Sequence, residues 1–364
     1  MTKKCAVVLA GGKAERFQRG GSPWIDKALA EVQGKPMLIH IVESLASTVE
    51  EIVICVNNEA RKRKYAKVLL DFSVKNSNRI RIVKDVKIPS ISGPAVAIVT
   101  GLKATNADYC IVVPCDTPFI QAAVVDHLFN AVKDASIAVP IHADGSMETL
   151  IFACERKKTA EVSETLCWLG RDRPDDFPRG LPKVKFISTI NEIRNLDPEF
   201  KSFININFQE DLTELRTRVS VNGPIKRSIQ IELGCPESSN LTVLRENVKS
   251  YLNKKSFDVV EAFSALSEVF EKEKFYFWTG ICREKEGTII QEYLKTQKNT
   301  REMAELQEKG WQAFLKAAES YALEAEFFTQ RQIHLLARRA KEDEAWCRKH
   351  SNDIRRLPSF AQRA

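Results

Sequence analysis

No apolar run in this 364-residue chain approaches the roughly 18 residues needed to cross a membrane. The apolar start at Cys5 to Ala10 is too short for a secretion signal and lacks a small-residue cleavage site, so a cytoplasmic protein with no membrane partner is expected. Nine cysteines are scattered without a C-x-x-C pair, which indicates neither a zinc ribbon nor a disulfide framework. They read as reduced packing residues. With only five scattered histidines, no Ser-His-Asp or Cys-His nucleophile is indicated. The chain holds neither G-x-x-x-x-G-K-[ST] nor G-x-G-x-x-G, which disfavours a Walker-type phosphate cradle and a dinucleotide oxidoreductase. It also has no RNA-binding aromatic motif or helix-turn-helix signature, so no nucleic-acid partner is expected. What is present is 44% hydrophobic and 28% charged residues, enough for two domains with real cores. A net charge of +7 favours anionic small-molecule partners such as nucleotides.

From Lys3 to about Leu215, short β-rich apolar runs alternate with amphipathic stretches, the pattern of a parallel sheet covered by helices. Strands are predicted at Cys5 to Ala10, Glu51 to Val56, Ile80 to Val83, Tyr109 to Pro114, Ser136 to Ile141 and Thr149 to Glu155, with helices over "KPMLIHIVESLAS" and "GPAVAIVTGLKAT". Each strand is expected to end at one edge of the sheet, where open α/β sheets bind ligands. Residues 218–240 read as a linker or small β element, and 241–364 as an all-α domain rich in Ala, Leu, Glu and Lys at helical spacing. Within it, "FYFWTGICRE" reads as helix-packing core and "RRAKEDEAWCRKH" as a solvated face.

Three stretches carry chemistry. In "AVVLAGGKAERF", Gly11 and Gly12 lack a Cβ that would block a nucleotide from the backbone, and Arg16 and Lys27 supply positive charge; alone, this is equally a tight strand-to-helix turn. In "CIVVPCDTPFI", Asp116 ends a strand where a Mg²⁺ bridging phosphates needs a hard oxygen, the alternative being a helix N-cap. In "FININFQEDL", Asn205 and Asn207 alternate with apolar residues, so their amides point one way off a strand toward a second ligand or the water of a metal, or else belong to a capped helix. Cys115, beside Asp116, reads as packing rather than a nucleophile.

The motifs "LAGG...R...DK", "SGPAVAI", "PCDTP" and "NIN...EDL", in that order, resemble the molybdenum cofactor guanylyltransferase family over about residues 3–215. The resemblance implies a three-layer Rossmann-like nucleotidyltransferase domain over 1–217. It also implies a Mg²⁺-dependent reaction in which the phosphate of molybdopterin attacks the α-phosphate of GTP and pyrophosphate leaves. By the same resemblance the nucleotide loop falls on Leu9, Ala10, Gly11 and Gly12, with Lys27 as the phosphate-binding basic residue and Arg16 assisting. Asn57, Asp85 and the Gly93-Pro94 turn are implied at the nucleotide, Asp116 as the magnesium ligand, and the paired asparagines fall on Asn205 and Asn207.

Two departures stand out. The chain inserts "FQRGGSPWI" between Arg16 and Asp26, and it places Glu148 near the expected acceptor, where a carboxylate would repel an anionic phosphate. The acceptor is therefore less fixed than the reaction: adenosylcobinamide phosphate or another phosphorylated acceptor would use the same lysine and aspartate. "AGG" favours GTP over CTP. From another class, the domain would be a degenerate nucleotide-binding scaffold, which retention of Lys27 and Asp116 argues against. The helical domain is expected to dock a protein partner or a second copy of the chain.

Overall fold

The computed structural model describes residues 2–12, 14–18, 25–74, 77–89, 91–296 and 302–357. The chain divides into two compact units, Met1–Glu232 and Leu233–Ala364.

The first unit is built on strands β1 (Lys4–Leu9), β2 (Glu31–Val32), β3 (Lys35–Pro36), β4 (Glu51–Val56), β5 (Ile80–Lys84), β6 (Tyr109–Pro114), β7 (Ile137–Ile141), β8 (Phe152–Glu155), β9 (Lys183–Ser188) and β10 (Ile229–Glu232). Its helices are α1 (Met37–Leu45), α2 (Glu59–Asp71), α3 (Pro94–Ala104), α4 (Ala122–Ala131), α5 (Arg156–Trp168) and α6 (Asp176–Gly180). Strands β2 and β3 form a small hairpin; the other eight form one sheet in the order β10-β9-β7-β8-β6-β1-β4-β5. The run β6-β1-β4-β5 is parallel, as is β7-β9, whereas β8 and β10 run against their neighbours. After their first residues the central strands β1, β4 and β6 are apolar and buried to the end, because helices cover both faces. Alternate residues such as Ala6, Val8, Ile54 and Val113 share one core with Leu38, Tyr65 and Leu128 of α1, α2 and α4. On the opposite face α3 lies against β1 and β4 and is backed by α5, which completes three layers.

Not every strand ends at the same edge. Only a short loop separates β7 from β8, too short for a crossover, so β8 returns antiparallel and Glu155 lies at the far edge. Residues 218–240 include β10, whose ladder to β9 carries the first unit to Glu232 rather than stopping at 217. Strand β9 was not anticipated: in "KVKFIS" two lysines interrupt the apolar signal, and its parallel pairing with β7 is a long-range contact.

How closely α3 approaches the sheet follows from Gly101. A Cβ there would lie 2.1 Å from Val7 Cγ1 and 3.1 Å from Cys55 Sγ. Gly101→Ala is expected to cost about 1–3 kcal/mol, read as a lower urea midpoint, with Val7→Ala restoring part of the loss.

The second unit consists of α7 (Ser238–Lys254), α8 (Val259–Lys272), α9 (Tyr276–Thr296), α10 (Glu302–Gln330) and α11 (His334–Arg355). Phe277 and Trp278 of the aromatic run are buried on α9. On α11 the charged run is mostly exposed, with Ala340, Asp343 and Cys347 turned inward. No described helix in either unit is long and apolar enough to cross a membrane.

Candidate active site

Strands β1, β4, β5 and β6 deliver their carboxyl ends to one edge, and almost every residue singled out in the sequence lies just beyond them. Gly11 follows β1 in a tight fit: a Cβ on it would meet Asp85 Oδ2 at 3.0 Å and the Asn57 backbone nitrogen at 3.1 Å. Glycine is therefore what lets the ends of β1, β4 and β5 converge. A Cβ on Gly12 would meet nothing within 4 Å, so its neighbourhood is open. Leu9 and Ala10 are buried; the Cys115 N–H donates to the Leu9 carbonyl and the Tyr65 hydroxyl to that of Ala10. Any contact they make with a ligand is through backbone. Gly93, at φ +95°, caps α3, and Pro94 opens the helix.

Lys27 begins a short 3-10 helix capped by Asp26, which accepts from the Ala28 N–H. The Lys27 ammonium lies 2.6 Å from Asp116 Oδ2 and 3.3 Å from Asn207 Oδ1. Asn205 and Asn207 do not project from a strand, for none forms at 203–207. Instead the Ile206 N–H donates to the Asp116 carbonyl, and Asp211 accepts from the N–H groups of Asn207 and Phe208. These bonds draw the asparagine loop onto the end of β6 without any strand ladder. Arg16 is exposed on a turn and has no hydrogen-bond or ion-pair partner among the described residues. Residues 19–24 of the insertion lie outside the described residues; its two ends are tied together by Gln18, whose side chain both donates to and accepts from the backbone of Ile25.

Sequence reading missed Arg61, Tyr65 and the structural part of Asp26. Arg61 of α2 donates to the Gly12 carbonyl at 2.8 Å and to Asn57 Oδ1 at 3.3 Å, and its Nε lies 3.3 Å from Asp26 Oδ2. Tyr65 donates to Asp26 at 2.8 Å. One helix thus holds the glycine loop, Asn57 and the residue before Lys27. Asn58 caps that helix while donating to Asn57, which separates the roles of the two neighbouring asparagines.

Three buried oxygens at this edge have neither a hydrogen-bond nor an ion-pair partner among the described residues: Asp85 Oδ1, Asp116 Oδ1 and Asn205 Oδ1. Unpaired buried acceptors are costly, and a ligand at this edge would supply them with donors or a cation. Burial pushes the Asp85 carboxyl up to about 6. It also pushes the Cys115 thiol up to about 12, with the charge of Asp116 adding to the effect, which suits a packing residue and not a nucleophile. A hard cation such as Mg²⁺ suits Asp116 Oδ1 and Asn205 Oδ1 as oxygen donors. No three His, Cys, Asp or Glu gather into an all-protein cage among the described residues, an arrangement that suits an ion sharing its coordination with phosphate and water.

This edge, with its glycine loop, lysine-paired aspartate and open acceptors, defines an α/β nucleotide-binding domain of the nucleotidyltransferase type. The family model of the MobA-like NTP transferase domain matches residues 6–174, and the chain belongs to this family. A probable molybdenum cofactor guanylyltransferase of Methanosarcina acetivorans is 30% identical, covering 58% of this chain and 89% of its own. One from Haloferax mediterranei is 33% identical over 60% and 95%. A molybdopterin-guanine dinucleotide biosynthesis protein A from Archaeoglobus fulgidus, known by crystal structure, aligns at 21% identity with a TM-score of 0.46 over 58% and 95%. The C-terminal remainder of the chain is unmatched.

Proposed function

We propose that the protein transfers GMP from GTP to the phosphate of molybdopterin, with release of pyrophosphate. The observation that carries this is the pair of unpartnered carboxylate oxygens, Asp85 Oδ1 and Asp116 Oδ1, on either side of the glycine loop. Names of relatives support the acceptor; the two carboxylates support the division of labour between base and phosphate.

Asp85 lies against Gly11 and Asn57, and the open neighbourhood of the adjacent Gly12 is where a planar base would approach the backbone. A carboxylate accepts from both N1–H and the N2 amino group of guanine, whereas adenine and cytosine offer a donor beside an acceptor and leave one oxygen unpaired. Lys27 meets the phosphates, and Arg16, free on its turn, neutralises the departing pyrophosphate. Asp116, with Asn205, would hold Mg²⁺, whose contribution would be to polarise the α-phosphorus and offset charge on the leaving group. An oxygen of the acceptor phosphate forms the new P–O bond as the bond to the pyrophosphate oxygen breaks, and pyrophosphate leaves with the electron pair. The acceptor phosphate is already ionised near neutral pH, so no general base is required of the chain.

Glu148 does not stand free against an anionic acceptor: its Oε1 lies 3.0 Å from His142 Nε2, and Thr189 holds the other ring nitrogen at 3.4 Å. The test is pyrophosphate release with Mg²⁺ and molybdopterin, comparing GTP, ATP and CTP; the expected result is turnover of GTP alone.

A further inference from the structure

Lys27 sits on the carboxylate that a divalent cation would need. Its ammonium is 2.6 Å from Asp116 Oδ2 and also reaches Asn207, and both side chains of the pair are largely buried, at 13% and 18% exposure. What remains for a metal is Asp116 Oδ1 and Asn205 Oδ1, and among the described residues no three acidic, histidine or cysteine side chains gather into a metal cage. A single carboxylate already neutralised by a lysine is a poor cation site, because the incoming ion must bind beside a fixed positive charge in a partly dry setting.

We propose that Lys27 is a resident cation that keeps divalent ions off Asp116 until a nucleoside triphosphate arrives. The phosphates then draw the ammonium away from the carboxylate, and the metal takes its place on Asp116 as the phosphates supply the missing ligands. The last step rests on reading this edge as a nucleotide site; the competition between Lys27 and the metal does not. Nucleotide and metal affinities are then reciprocally coupled, each strengthening the other. If the ion pair is closed about nine-tenths of the time, metal alone binds about tenfold more weakly than to an unblocked Asp116.

The experiment is Mn²⁺ titration of the full chain without nucleotide, with free Mn²⁺ read by electron paramagnetic resonance. Lys27→Met is expected to bind Mn²⁺ at least about tenfold more tightly than wild type. Lys27→Arg, which keeps the charge, should match wild type, and Asp116→Asn should bind weakly. Lys27→Gln repeats the measurement with a polar side chain in case Lys27→Met does not fold, folding being checked by circular dichroism. Equal affinity in wild type and the uncharged variants overturns the proposal. Tighter binding in Lys27→Met, with GTP leaving the Mn²⁺ affinity of wild type unchanged, upholds the competition and counts against the nucleotide reading instead.

Discussion

Asp116→Asn is expected to lower pyrophosphate release from GTP by at least about two to three orders of magnitude while leaving the fold intact. The substitution removes charge and keeps shape. Asp116 is fixed by backbone on both sides: the Cys115 N–H donates to Leu9, and the Asp116 carbonyl accepts from Ile206. Neither bond depends on the carboxylate. Of its two side-chain oxygens, one pairs with Lys27 and the other has no partner, so asparagine abandons one ion pair, and Lys27 keeps Asn207. Both side chains of the lost ion pair are largely buried, so some loss of stability accompanies the change, well short of unfolding. Steady-state pyrophosphate release, read beside the melting temperature, separates the two effects. Activity within a few-fold of wild type would remove Asp116 from the metal.

Asp85→Asn is expected to erase the preference for GTP and, in the same protein, to raise stability above about pH 6. An amide presents one donor and one acceptor to a base that needs two acceptors, so discrimination between GTP and ATP should fall by about a hundredfold or more. The stability effect follows from the raised carboxyl, at about 6 in the fold. A carboxyl raised above its unfolded value stabilises the fold at low pH, and that contribution is lost as pH rises through the folded value. Above it, wild type carries a desolvated charge with an unpaired oxygen, which asparagine lacks. The variant should therefore melt higher than wild type at about pH 8 and similarly at about pH 4, and GTP binding by wild type should weaken below about pH 6 as the acceptor is protonated. Thermal melts across that range, with nucleotide competition at neutral pH, check both halves.

Much of the nucleotide edge was legible because its signals are local. Gly11 follows an apolar run, Asp116 follows the continuous apolar run of β6, Asp85 follows the shorter, charge-interrupted β5, and Gly93-Pro94 opens a helix. The pairing of Lys27 with Asp116 and Asn207 was not legible, since the partners are 89 and 180 residues apart. Arg61 was hidden for a different reason. In "EARKRKY" it reads as one more solvated cation, and only its spacing with Tyr65 and Leu69, four residues apart on one helical face, marks it as inward-facing. The asparagines were expected on a strand because "FININ" alternates, yet that segment bonds to the loop after β6 and not to a neighbouring strand. Strand direction was the other gap: alternation locates β8 but is the same for parallel and antiparallel pairing.

The most direct measurement is the product formed from GTP, molybdopterin and Mg²⁺ by the full chain, read by mass spectrometry alongside pyrophosphate. The account predicts one pyrophosphate for each molybdopterin that gains a GMP unit, with ATP and CTP inert. Molybdopterin recovered unchanged, with no pyrophosphate from GTP, would contradict it.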